Sequence, residues 1–95
     1  MAIQFSELAL EDLDDIWRYL AQRSPEDATR FITRLEDVFS LLDDFPQIGR
    51  ERNDLRLGVR SYVYQRYVVL YRQVEGDVLV EAIIRGDRDI EGMFG

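Results

Sequence analysis

The sequence predicts an α+β fold of order β-α-α-β-β-β, with an antiparallel sheet packed on an N-terminal helical hairpin. Three observations carry that expectation. Apolar residues between 9 and 42 recur at helical spacing, whereas from residue 59 to 85 they are β-branched or aromatic and alternate like strands. Only two or three residues separate the two helical runs, so the helices must fold back on each other. The 95 residues leave room for a single domain, 1–95, with one modest core.

Each element has its own local signal. "AIQF" (2–5) alternates apolar and polar and reads as a first strand. Ser6 is placed to cap a helix running from about residue 6 to 22, with Glu7 in the acidic first turn and Ala9, Leu13, Ile16, Trp17 and Leu20 on one face. "SPEDATRF" is the clearest start signal. Ser24 caps, Pro25 sits where its missing N–H costs nothing, and Glu26 and Asp27 meet the helix dipole. The stripe Ala28, Phe31, Ile32, Leu35, Val38, Phe39, Leu42 then continues to about residue 44, where "FPQIGR" ends the helix. "VRSYVY", "RYVVLYRQ" and "DVLVEAIIR" are strand-like, "VEGDV" is a hairpin turn, and "DRDIEGMFG" is a tail with room for one helical turn. The expected core comprises Leu13, Ile16, Trp17, Leu20, Phe31, Leu35, Val38, Phe39, Val68, Leu70, Val80 and Ala82.

Composition removes much chemistry. All twelve basic residues are arginine, and cysteine, histidine and lysine are absent. There is accordingly no disulfide, no zinc-thiolate site, no Ser-His pair and no Schiff base, and any catalysis would run on Arg, Tyr, Asp, Glu, Ser or Thr. No catalytic residue, metal site or cofactor is expected. The N-terminus lacks a basic n-region and a long apolar run, so no signal peptide is expected, and no stretch is apolar enough for a membrane span. A cytoplasmic location fits these features.

Charge is unevenly spread. The chain carries a net −7, yet residues 50–72 hold six arginines against Glu51 and Asp54. Such asymmetry points to a charged partner. The acids Glu11, Asp12, Asp14 and Asp15 read as a solvated helix face, with Asp14–Arg18, Glu26–Arg30 and Arg34–Asp37 spaced as helical ion pairs. In the sheet, alternation puts Arg60, Tyr62 and Tyr64 on one side of their strand, and Arg66, Val68, Leu70 and Arg72 on one side of the next. In the last strand Val78, Val80, Ala82 and Ile84 are expected to face the helices, leaving Leu79, Glu81, Ile83 and Arg85 outside. The open face would then carry aromatic and guanidinium groups together. Such a surface can stack bases, clamp phosphates or dock an acidic peptide; equally, arginine stems can simply cover apolar sheet.

The run of residues 45–89 resembles the ParE toxins of the RelE/ParE superfamily. The resemblance rests on Pro46–Gly49–Arg50 after the second helix and Gly58–Arg60 entering the sheet. It continues with Tyr67–Tyr71–Arg72 and a closing Ile84–Gly86–Arg88–Asp89, and Ser6, Ala9, Asp12, Leu13 and Ile16 extend it through the first helix. It implies the fold derived above and a bacterial type II toxin neutralised by a ParD-like antitoxin in a hetero-oligomer. ParE members inhibit DNA gyrase, whereas RelE members cut mRNA on the ribosome; an inactive homologue that only binds antitoxin is a third possibility.

Physical chemistry favours gyrase. A strongly acidic chain works against a polyanion, because nucleic-acid affinity comes largely from phosphate neutralisation, so no direct nucleic-acid binding is expected. The candidates for target contact are Arg60, Tyr62, Arg72, Arg85 and Arg88 with Met93 and Phe94 of the tail, whose apolar side chains read either as docking groups or as packing on the sheet edge. Arg60, Arg72 and Arg85 are also the candidates for meeting antitoxin carboxylates.

Overall fold

Five strands and two helices make up the computed structural model, which describes residues 3–86. In chain order these are β1 (Ile3–Phe5), α1 (Glu7–Arg23), α2 (Pro25–Asp44), β2 (Arg50–Glu51), β3 (Arg60–Tyr64), β4 (Tyr67–Val74) and β5 (Asp77–Arg85). The sheet order is β1-β5-β4-β3-β2. The α+β class and the helical hairpin on one face stand as expected. Two details are added. The two-residue β2 pairs with β3, too short and too charged to show a strand period. β1 lies parallel to β5, while all other pairings are antiparallel.

Local capping explains both helices. Ser6 Oγ accepts the Ala9 N–H at 3.0 Å and donates to the Glu81 carbonyl at 2.8 Å, so one hydroxyl starts α1 and ties it to β5. Ser24 is the sole residue between the helices: its N–H closes α1 on the Leu20 carbonyl, and its Oγ accepts from Asp27 to open α2.

The sheet has apolar cores on both faces. Under the helices, Ala9 and Ile16 of α1 and Phe31, Leu35, Val38, Phe39 and Leu42 of α2 meet Val69, Tyr71, Val78, Val80 and Ile83. On the opposite face, Val59, Val68, Leu70, Ala82 and Ile84 form a smaller cluster covered by Leu55.

This division corrects the expected facing of β5. Leu70 pairs with Ala82 but Tyr71 with Val80, so Glu81 is an extra residue in a β-bulge. A bulge inverts the parity of everything beyond it. Ile83 therefore turns under the helices, while Ala82 and Ile84 are buried on the other face. Val68 and Leu70 are buried as expected, also in that second cluster. The tyrosines and arginines do not share the open face: Tyr62, Tyr64 and Tyr67 pack against the helix-side core, with Phe31 5.3 Å from the Tyr67 ring.

Trp17 is corrected too. It is 43% exposed, because the buried stripe of α1 centres on Ala9 and Ile16 and the next residue lies about 100° round the helix. Leu13 and Leu20 are partly buried. Among the helix acids, Asp14 pairs with Arg18 in solvent at 3.0 Å as expected, while Arg30 pairs with Asp27. Asp12 departs from the solvated face, since its Oδ2 accepts the Ile83 N–H at 2.9 Å. Arg88, Met93, Phe94 and the expected helical turn of the tail lie outside the described residues.

Candidate functional site

The loop after α2 is held by two side chains from the sheet. Tyr71 Oη donates to the Pro46 carbonyl at 2.8 Å and accepts the Gly49 N–H at 2.9 Å. Arg60 donates to the carbonyls of Gln47 and Gly49, at 3.2 and 2.8 Å, and reaches Glu51 Oε1 at 3.3 Å. The Pro-x-x-Gly-Arg spacing thus matches two anchors that arrive from β3 and β4. Arg60 is placed as a staple, partly buried, and its donors are directed into the protein. Tyr62 likewise packs inward. The fastened loop leaves Phe45 and Ile48 exposed around a hollow of about 460 Å³ that also includes Gln73.

On the open face, the bulge residue Glu81 gathers two arginines. Its Oε1 accepts Arg72 Nε at 2.7 Å, and Arg56 Nη2 reaches both carboxylate oxygens. The Glu81 side chain is only 12% exposed, so this carboxylate is largely shielded from water, and both its oxygens are engaged. Arg56 comes from the β2–β3 loop, which folds over the second core through Leu55 and is closed by Asn53 Oδ1 accepting the Gly58 N–H at 3.1 Å. In the same loop Arg52 holds Asp54 through two hydrogen bonds, which keeps the Asp54 carboxyl below its usual range. Glu81 and Arg56 were not singled out from the sequence. The available signal is a lone acid in the apolar run "VLVEAII", a type that rarely goes unpartnered when buried.

Arg85 stands at the end of β5, exposed, and shares with Arg66 the rim of a hollow of about 600 Å³ floored by Val63 and Val68. Arg72 and Arg85 therefore sit on different ground: the first lies in the Glu81 cluster, the second at the sheet's end.

Burial pushes the Tyr71 phenol above its ordinary value, against the opposing effects of the Gly49 N–H and Arg60, so it stays protonated and engaged. No group of three or more potential metal ligands occurs among the described residues, and no helix there is long and apolar enough to cross a membrane.

Comparison with known proteins accords with this geometry. Residues 3–90 match the family described as ParE toxin of type II toxin-antitoxin system, parDE. The chain is 34% identical over 85 residues to Toxin ParE3 of Caulobacter vibrioides, covering 88% of this chain and 85% of that protein. It is 34% identical over 70 residues to Toxin ParE1 of the same organism, covering 73% of each. Among solved structures, a chain described as the chromosomal ParDE TA system from P. aeruginosa superposes with a TM-score of 0.74 at 22% identity, over 90% of this chain and 95% of that one. That last likeness is one of fold.

Proposed function

Since the chain belongs to the ParE toxin family of type II toxin–antitoxin systems, we propose that it acts by binding and inhibiting DNA gyrase. It works without hydrolytic chemistry or cofactor, in the cytoplasm, and is neutralised by a cognate ParD-like antitoxin. The observation that carries this reading against the ribonuclease is the occupied state of Glu81. Cleavage of a phosphodiester needs guanidinium groups directed at the developing charge and a base for the 2′-hydroxyl. On the open face Arg56 and Arg72 are both committed to Glu81, and Arg60 is committed to the loop carbonyls. Burial pushes the Tyr71 phenol up, away from basic duty. A net charge of −7 further opposes approach to RNA.

Arg85 is the candidate contact whose exposed place fits an intermolecular role. The test is induction of the chain in bacteria, followed by plasmid supercoiling, DNA-damage signalling and primer extension on mRNA. Loss of supercoiling and induced damage signalling with intact mRNA are expected. Codon-specific mRNA cleavage with normal supercoiling would establish the ribonuclease reading instead.

A further inference from the structure

The two helices end on opposite charges. α1 carries Arg23 in its last turn, where the partial negative charge of a helix end favours a cation. α2 has no basic residue in its last turn and closes on Asp43 and Asp44, which the same field opposes. Neither aspartate enters an ion pair among the described residues. Asp43 Oδ1 is shut off from water and meets no hydrogen-bond donor there. The end of α2 thus calls for a cation that the described residues do not bring.

Immediately beyond that end the chain turns apolar and stays exposed. Phe45 is 60% and Ile48 48% exposed, and with Asp44 and Pro46 they line the hollow of about 460 Å³ beside the loop. The backbone beneath these side chains is fastened. The Phe45 N–H donates to the Leu41 carbonyl at 2.8 Å, and the Ile48 N–H to the Phe45 carbonyl at 3.0 Å. Tyr71 and Arg60 hold Pro46, Gln47 and Gly49 from the sheet. Apolar side chains on so fixed a backbone lose little freedom when covered, which suits them as binding anchors.

We propose that the end of α2 and the loop 45–48 form a contact surface for the protein target, and that the target brings a basic, apolar segment to it. A lysine or arginine of the target lies over Asp44 and the face of Phe45, where carboxylate, helix end and ring all attract a cation. An aliphatic side chain beside it enters the hollow between Phe45, Pro46 and Ile48. Charge complementarity selects this occupant. Asp43 and Asp44 repel an acidic segment or a phosphate backbone, whereas an enzyme that grips DNA carries cationic surface to neutralise phosphates. A chain of net charge −7 is drawn to such a surface. The proposal rests on the gyrase reading and adds the place and the chemistry of the contact.

Two measurements test it. The first compares binding of wild type, Phe45→Ala/Ile48→Ala and Asp44→Lys to purified gyrase. Both variants are expected to bind about tenfold more weakly or worse. Asp44→Lys suits the helix end, so its thermal midpoint should rise while its binding falls, and unfolding cannot explain the loss. Leu57→Ala, which trims a still more exposed apolar residue on the β2–β3 loop, should bind as wild type does. Undiminished gyrase binding in either site variant overturns the proposal, as does an equal loss in Leu57→Ala or a loss of antitoxin capture in place of gyrase binding. The second titrates the protein with a labelled short peptide alternating lysine and leucine, and with its glutamate counterpart. The lysine peptide is expected to bind, more weakly to both site variants, and unchanged to Glu26→Lys at the other end of α2. No binding, equal binding of the glutamate peptide, or an equal effect of Glu26→Lys refutes the surface. If wild type does not bind gyrase at all, the target reading fails, while the peptide titration still decides the surface.

Discussion

The Tyr71 hydroxyl and the Gly49 amide, 22 residues apart in sequence, meet at 2.9 Å in the interior and fix the loop after α2. Glycine is required there by space. A Cβ on residue 49 would collide with Tyr71 Oη and lie 2.9 Å from the Ser61 carbonyl, which is backbone and cannot swing away. Gly49→Ala is therefore expected to destabilise by about 1–3 kcal/mol, read as a lower urea midpoint with unchanged slope. Tyr71→Phe, which strands a buried N–H and a carbonyl, is expected to cost about 1–3 kcal/mol.

The same phenol sets a pH dependence. Burial raises its folded-state pKa above the ordinary value of about 10. The unfolded chain then releases this proton first, so the contribution is intact below about pH 10 and is lost as pH rises through the folded-state value. Urea titrations from pH 8 upward should show wild type losing stability more steeply than Tyr71→Phe.

Neutralising Glu81 should convert the open face into a phosphate-binding one. Glu81→Gln keeps the shape but releases the charge of Arg56 and Arg72. Affinity for single-stranded oligonucleotides is expected to rise, with the log–log salt slope steepening by about 1–1.5 as two cations become available. Stability should fall by about 1 kcal/mol, because both guanidinium groups keep access to water.

The β4–β5 turn offers a gain. Glu75 and Gly76 have φ of 52° and 87°, the doubly left-handed backbone that favours Asn-Gly. Glu75→Asn is expected to stabilise by about 0.5–1 kcal/mol, visible as a raised thermal midpoint.

Asp12→Ala should leave the Ile83 N–H without its acceptor. The expected signature is local: a loss of about 1 kcal/mol and faster amide exchange at Ile83, with Asp12→Asn retaining most of the protection.

What could be read from the sequence was what neighbouring residues decide among themselves. Ser6, Ser24 and Pro25 act within a turn of where they stand, and both helices begin where their caps say. Gly49 was legible as a punctuation mark, but its reason is a tyrosine two strands away. The bulge at Glu81 has no composition of its own, so strict alternation sent Ala82, Ile83 and Ile84 to the wrong faces. Trp17 shows the limit of a stripe argument, since one residue's rotation separates core from flank. Arg60 had the residue type of a contact, and only the positions of the Gln47 and Gly49 carbonyls show that it holds a loop.

The parallel pairing of β1 with β5 makes the first and last described elements of the chain depend on each other. Ser6 binds Glu81 across 75 positions of sequence, and no earlier strand can take β5's place between β1 and β4. During synthesis the helical hairpin emerges first with its apolar face uncovered, and β1 has no neighbour until β5 has left the ribosome. Contacts this distant in sequence slow folding, because the long loop must close before they form. A nascent chain is thus without its finished surface until β5 has been made, and that interval is open to any partner that seizes the hairpin first.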